Sequence, residues 1–306
     1  MNGSKEPQGL AGLPRLGFIG LGRMGSGMAL RLTRAGYPMM VFDLAPDRLA
    51  DCVAAGAAAA TNAPDLVERC EVVLASLPSS AAFVQAAEID LLPHARSGQV
   101  FLDMGTTEAP ETRRLAAAFA AKGADLLDCP VSGGSGGAAA GTLHVFVGGQ
   151  RAAYERCRPI LEVLGEPRRI ARCGPSGCGQ AVKGVNQLAM GLVAAAYLEA
   201  ISFGVRAGAD LEAIAQAVGG EEDWRRRVAS YARLIAEGRG EDVLIKFPEL
   251  PYFLREARER GFVLPMTEAL FAFCNPGPRN WADNMGRPRV SFWHQLVCAG
   301  EPREAR

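Results

Sequence analysis

The sequence predicts an α/β protein: a doubly wound parallel sheet, followed by an all-helical domain entered through a long helix between the two. Three observations predict it. Short apolar runs alternate with helix-like segments of ten or more residues between positions 16 and 174. A glycine-punctuated turn joins the first such run to the first helix-like segment. Past residue 179 the strand pattern stops and a long, nearly uncharged helical stretch begins.

Taken in order, Leu16–Ile19 is an apolar run long enough for a strand and too short for a helix. The chain crosses glycines and enters a helix-like segment ending near Gly36, and "PMMVFD" (38–43) is the second strand. The helix-like "APDRLADCVAAG" follows. "EVVLASLP" (71–78) and "QVFLDMG" (99–105) are strands running into turns, "EAPETRRLAAAFAAKG" is a helix, and "ADLLDCPV" (124–131) is a strand. "GTLHVFVGG", the helical "RAAYERCRPILEVLG" and "PRRIARCG" close the series. Short strands separated by such helices build a parallel sheet covered on both faces, the Rossmann-type arrangement.

From Gln180 to about Ala207 the chain reads as one helix, with apolar or small residues at 181, 182, 185, 188, 189, 192, 193, 196 and 200. That spacing suits burial on more than one side. A helix without a clear polar face lies in a domain core or a subunit interface, so a homo-oligomer is expected. Further helices are expected at about 211–218, 223–237, 250–260 and 265–273. The predicted division is a tail at 1–14, a sheet domain at 15–177 and a helical domain at 178–306. The final stretch, "CNPGPRNWADNMGRPRVSFWHQL", is too rich in Pro and Gly for one continuous helix and reads as a packed loop or a lid.

Bulk properties exclude several classes. The 306 residues carry 33 basic and 33 acidic side chains, so nothing global points to nucleic acid. Eight cysteines form no CxxC pair and the three histidines lie far apart, which argues against zinc and for reduced cysteines in a cytoplasmic protein. No run of about 18 uncharged apolar residues occurs, so no membrane span is expected.

Gly20, Gly22 and Gly25 form GxGxxG, with Leu21, Arg23 and Met24 between them, directly after a strand and opening a helix. The first glycine permits the tight turn, the second clears space for a pyrophosphate, and the third lets helix and strand approach. Free amides at the helix start then face the diphosphate. Asp43 ends the second strand, eighteen residues beyond Gly25. An acid there accepts hydrogen bonds from the ribose hydroxyls of NAD and repels the extra phosphate of NADP. Arg48 nearby leaves NADP open. Leu77 and Pro78, at the carboxyl end of a strand, are expected to line the adenosine or diphosphate side. Thr106 either touches cofactor or caps the helix that follows.

"DCPVSGGSGGAAAGTL" (128–143) places small residues directly after a strand. Their amides and the Ser132 hydroxyl form a receptor for a carboxylate, unless the run is an ordinary flexible loop. Oxidation of an alcohol also needs a group to take the hydroxyl proton. His94 precedes a turn, His294 lies in the unusual tail, and His144 in "LHVFV" reads as a packed core residue. Lys183 is better placed, in the first turns of the long helix, with Asn186 and Gln187 three and four residues on, either of whose amides orients the lysine or holds the substrate. A desolvated lysine can exchange a proton near neutral pH; a lysine at a domain edge can also be simply solvated.

With these motifs in view the chain resembles the β-hydroxyacid dehydrogenase family, from about Leu16 to about Leu270. "GFIGLGRMGSGMA", "DCPVSGGSGGAAAGTL" and "GQAVKGVNQ" carry the resemblance. It implies a dinucleotide loop at Gly20–Gly25, a threonine near the nicotinamide at Thr106, and a carboxylate-holding segment at Ser132, Gly133 and Gly134. It further implies Lys183 as the proton-transferring group and a dimer or tetramer built through the helical domain. The family pairs its lysine with an asparagine, often four positions on. Here that position is Gln187, and Asn186 is the expected partner. Where the family has Lys–Asp–Leu this chain has Pro248–Glu249–Leu250, with Lys246 two residues earlier. Lys246 does that lysine's job through a shifted loop, or the job is gone. The segment from Cys274 also departs from the family's helical ending. Trp224, Phe247, Trp281 and Trp293 make either an aromatic pocket or core packing.

The expected activity is hydride transfer between NAD and a short β-hydroxy acid. The alternatives are an imine reductase of the same architecture, against which Lys183 and the Ser132 segment argue, and a non-catalytic dehydrogenase-like module.

Overall fold

The computed structural model describes residues 12–243, 245, 249–274, 292, 293 and 296. These residues divide into two compact units, with the division between Lys183 and Gly184.

Among the described residues, unit 1 holds one nine-stranded sheet. Its strands are β1 (Leu16–Ile19), β2 (Met39–Phe42), β3 (Ala58–Ala59), β4 (Val72–Ala75), β5 (Val100–Asp103), β6 (Asp125–Asp128), β7 (Val131–Ser132), β8 (His144–Gly148) and β9 (Ile170–Gly174). The order is β3-β2-β1-β4-β5-β6-β8-β7, with β9 also paired to β8. Pairing is parallel from β3 to β6, and β8 runs antiparallel to β6 and β7. The helices are α1 (Gly25–Arg34), α2 (Ala50–Ala54), α3 (Ala63–Arg69), α4 (Ser80–Ala86), α5 (Ala109–Ala121), α6 (Gly134–Ala140) and α7 (Arg151–Leu164), and the first turns of α8 (Cys178–Arg206).

Alternation along the strands sorts side chains into two layers. Leu16, Phe18, Val72, Leu74, Val100 and Leu102 face one core with Met28 and Leu32 of α1 and Leu161 of α7. Ile19, Val73, Ala75 and Phe101 face the other with Leu66 of α3 and Leu115 and Phe119 of α5. Strands buried on both faces read as continuous apolar runs, which is why they were legible. The same alternation corrects the expectation for His144. It is exposed, because in β8 Val145 and Val147 point inward and His144 points out.

Two further differences concern local structure. Residues 134–140, read as part of a small-residue loop, form the helix α6. The short helices α3 and α4 escaped the sequence pattern although both carry side-chain caps. Asn62 accepts from the Asp65 amide and Ser79 from the Ala82 amide.

Unit 2 contains the rest of α8, then α9 (Leu211–Val218), α10 (Asp223–Ala236), α11 (Leu250–Arg260) and α12 (Pro265–Cys274). Its core gathers Leu198 and Ile201 of α8, Ala215 of α9, Ala232 and Ile235 of α10, and Leu250 and Leu270. Trp293 packs against this cluster, whereas Trp224 is exposed, with the Arg225 guanidinium over its ring. Phe247 and Trp281 lie outside the described residues.

By length and composition α8 is apolar enough to cross a membrane, with an 18-residue window of mean hydropathy 1.8, a third of it buried within the chain. The expectation concerned a run without charge, and Lys183 and Glu199 do interrupt this helix; it is apolar enough only when those charges are tolerated. The helix also carries buried Gln180, Lys183 and Gln187, each hydrogen-bonded to protein groups.

Candidate active site

The glycine loop between β1 and α1 has the geometry a dinucleotide needs. Gly20 has φ +87°, and a Cβ there would lie 2.4 Å from the Ser76 carbonyl oxygen. At Gly25 a Cβ would lie 1.9 Å from the Gly20 carbonyl oxygen. At Gly22 the nearest atom would be Arg48 Nη1 at 4.0 Å, so this backbone faces open space. No acid occupies the first turn of α1, which leaves its amide end available to an anion. Leu21, Arg23 and Met24 fill the loop between the glycines, and Leu21 packs into the core.

Asp43, just past β2, organises this loop as well as facing it. Its Oδ2 accepts from the Leu21 amide at 2.6 Å and its Oδ1 from the Ala45 amide at 2.8 Å. Arg48 Nη1 stands 3.6 Å from Oδ1. Leu77 and Pro78 follow β4, and Leu77 is the side chain a Cβ at Gly20 would meet at 2.8 Å. Thr106 follows β5, partly exposed, after Gly105. These groups fit NAD: a bare backbone strip, helix amides and a carboxylate at the end of β2.

At the other end of the sheet edge, Lys183 is 6% exposed and its Nζ donates to the Val131 carbonyl at 2.6 Å. Val131 precedes Ser132 within β7, so the lysine head group and the Ser132–Gly133–Gly134 segment are brought together. Gly133 and Gly134 both have positive φ, at +141° and +66°, where the chain turns into α6.

Two buried aspartates and one glutamine lie near these groups within unit 1, and sequence reasoning assigned them no role. Asp128 closes β6, and its carboxylate accepts from the Gly177 and Gln180 amides, each at 2.9 Å. Asp103 closes β5 and accepts from the Gly105 amide at 2.9 Å. Gln180 Nε2 donates to the Gly105 carbonyl at 3.0 Å and approaches Asp103 Oδ2 at 3.4 Å. Burial pushes the Asp103 carboxyl up to about 7, with the neighbouring Asp128 charge adding to the shift. Burial also raises Asp128, against the amide hydrogen bonds that favour its charge. The signal was present: β5 and β6 each end in a fully buried Asp, as "VFLD" and "DLLD".

Within unit 2, Gln187 is 4% exposed and donates through Nε2 to Glu249 Oε1 at 3.3 Å. Asn186 is partly exposed, with Nδ2 3.7 Å from the Met190 sulfur. Glu249 is the residue standing in the Pro248–Glu249–Leu250 departure, at the N-cap position of α11 and without a side-chain capping hydrogen bond. Lys246 lies outside the described residues. Among the described residues no group of three or more potential metal ligands occurs, and the seven described cysteines are free.

Fold and loop together define a nicotinamide-dinucleotide oxidoreductase. Residues 15–177 match the family model described as the NAD binding domain of 6-phosphogluconate dehydrogenase. The chain is 34% identical over 293 residues to 2-(hydroxymethyl)glutarate dehydrogenase of Eubacterium barkeri, which covers 92% of this chain and 96% of that enzyme. It is 40% identical over 207 residues to NAD-dependent L-serine dehydrogenase of Pseudomonas aeruginosa, covering 67% and 68% of the two chains. Among solved structures, 3-hydroxyisobutyrate dehydrogenase of Mycobacterium tuberculosis with L-serine superposes with TM-score 0.74 at 26% identity, over 93% of this chain and 98% of that one. The chain belongs to the β-hydroxyacid dehydrogenase family and carries that family's NAD-binding domain.

Proposed function

We propose that the protein transfers a hydride between NAD and a short β-hydroxy acid, with Lys183 exchanging the proton at the substrate oxygen. The observation that carries this reading is the 2.6 Å hydrogen bond from the buried Lys183 to the carbonyl of Val131, the residue before Ser132. It puts the only lysine of the segment beside the group best suited to hold a carboxylate.

When bound, NAD supplies the hydride acceptor in oxidation and, as NADH, the donor in reduction. Gly20–Gly25 and the first amides of α1 hold its pyrophosphate, Asp43 its ribose hydroxyls, and Leu77, Pro78 and Thr106 line the rest. The Ser132 hydroxyl and the amides of Gly133 and Gly134 bind the substrate carboxylate. Lys183 then takes the proton of the β-hydroxyl as the alcohol is oxidised and returns it in reduction. The carbonyl of Val131 limits the directions in which Nζ can point. Asn186 is the proposed partner of the lysine, because the family pairs its lysine with an asparagine, and Gln187, which donates to Glu249 Oε1 at 3.3 Å, is the proposed second substrate-side amide. Lys246 is retained as the proposed counterpart of the family's late lysine. NADP is the alternative cofactor, reached through Arg48.

An imine reductase would not need a carboxylate receptor beside an acid–base lysine, and a non-catalytic module would need neither. The protein is proposed to be cytoplasmic and a homodimer or homotetramer built through its helical part. Val185, Met190, Val193 and Phe203 of α8 leave apolar surface uncovered within the chain.

The test is a panel of hydroxy acids and semialdehydes read by NADH absorbance, with NADP in parallel, on wild type and Lys183→Ala. Turnover of a β-hydroxy acid should fall about 100-fold or more in the variant while NAD binding holds. Unaltered turnover in Lys183→Ala would sink the assignment, as would loss of NAD binding in a folded variant.

A further inference from the structure

We propose that Asp128 is a positioning residue for the proton-transferring lysine: its carboxylate clamps the first turn of α8 to the end of β6 and so fixes where the Lys183 ammonium lies beside Ser132. The inference rests on the reading of Lys183 given above.

The first amides of a helix have no partner within it and must find acceptors elsewhere. For α8 the acceptor comes from another strand. Asp128 Oδ1 takes the Gly177 amide and Oδ2 the Gln180 amide, both at 2.9 Å. Two separate oxygens on two amides set both the height of the helix and its rotation about its own axis. Lys183 is one turn beyond Gln180, so that rotation decides where its side chain emerges.

The surroundings are shaped for this approach. A Cβ at Gly148 would lie 2.4 Å from Asp128 Oδ1. A Cβ at Gly179 would lie 2.4 Å from the Phe146 carbonyl and 2.7 Å from that of Asp128. Larger residues at either place would push helix and strand apart.

The contacts close a ring. Asp128 holds the start of α8, α8 presents Lys183, and Lys183 Nζ reaches the carbonyl of Val131, three residues after Asp128 in the chain. A second tie runs from the same turn, because the Gln180 side chain donates to the Gly105 carbonyl, next to Thr106. One turn of helix is thereby registered against the segment assigned to the substrate carboxylate and the one assigned to the nicotinamide. Burying a carboxylate is costly, and the two backbone amides it satisfies, which an apolar residue would leave unpaired, offset part of that cost. What the carboxylate adds is alignment.

The experiment is Asp128→Asn, an isosteric change that puts an amide N–H where an acceptor stood, opposite a backbone N–H. With a β-hydroxy acid substrate, kcat should fall about 10- to 100-fold, the cost of moving a reacting group by a fraction of an ångström to 1 Å. NAD affinity should stay within about twofold, and the solvent deuterium isotope effect on kcat should rise as proton transfer becomes limiting. A fall in kcat with an unchanged isotope effect and a parallel loss of NAD binding would overturn the proposal, as would wild-type kcat. Hydrogen exchange on the unaltered enzyme provides an arm that needs no variant. The Gly177 and Gln180 amides should be as protected as core strand amides; exchange at the rate of exposed turns would overturn the clamp. Lys183→Ala is run alongside: undiminished turnover there removes the lysine reading itself, whereas collapse there with an unaffected Asp128→Asn removes only this inference.

Discussion

Gly25→Ala and Gly22→Ala should separate what the cofactor loop needs for folding from what it needs for binding. At Gly25 the added methyl would stand 1.9 Å from the Gly20 carbonyl oxygen and 3.1 Å from the Phe18 ring. Reaching the 3.4 Å of ordinary contact requires an opening of about 1.5 Å, and the obstacle is backbone rather than a flexible side chain. Overpacking of this kind costs about 1–3 kcal/mol. For a domain of this size that is a fall of roughly 2–12 °C in Tm. Displacing the loop also misaligns the amides aimed at the pyrophosphate. Losing two hydrogen bonds to a charged group, at about 1.5–3 kcal/mol each, weakens NAD by about 100-fold or more. At Gly22 the nearest atom to an added methyl is 4.0 Å away, and the backbone there is not left-handed. Stability should change by no more than about 0.5 kcal/mol. The methyl would still occupy the strip on which the pyrophosphate lies, so NAD should weaken by about 10-fold or more. Differential scanning fluorimetry and NAD titration by calorimetry read both quantities. Gly25→Ala melting with wild type would refute the steric argument. Gly22→Ala binding NAD normally would show that the pyrophosphate lies elsewhere.

Two further outcomes follow from buried charge and exposed apolar surface. Asp103 has a folded pKa of about 7 against an unfolded value of 3.8, so the folded state binds the proton more tightly. Its contribution to stability is therefore greatest at low pH and falls as pH rises from about 4 to about 7, then levels. Asp103→Asn should remove that slope, making its Tm relative to wild type higher at pH 8 than at pH 5; a pH-independent difference would contradict the burial argument. Phe203, 76% exposed on α8, should stabilise self-association. Phe203→Glu should shift the mass measured by light scattering towards the monomer, and an unchanged oligomer would place the interface elsewhere.

The sequence determined a good deal by itself, because the relevant physics is local. β1, β2, β4, β5 and β6 are apolar runs bounded by turns, and a strand buried on both faces has no other way to read. GxGxxG declares its geometry through residue type, since Gly20 must adopt φ +87° and Gly25 has no room for a side chain. The helices from 178 onward were visible as long segments of unbroken helical pattern. Asp43 was legible because its spacing from the glycines is fixed by one strand and one helix.

Tertiary structure decided the rest. Residues 134–140 are small and glycine-rich, with poor helix propensity, and only packing makes them a helix: α1 lies so close that a Cβ on its Gly27 would touch Ala138 at 3.3 Å. That Gln187 is held by a carboxylate depended on Glu249, sixty-two residues away in the chain. Lys183 was identifiable as a candidate from its neighbours, but its burial and its bond to Val131 were not. Nor was the partner of the acid at the end of β6, an amide forty-nine residues downstream. A hydrogen bond between distant segments leaves no periodicity in either. Only the folded chain brings donor and acceptor within 3 Å.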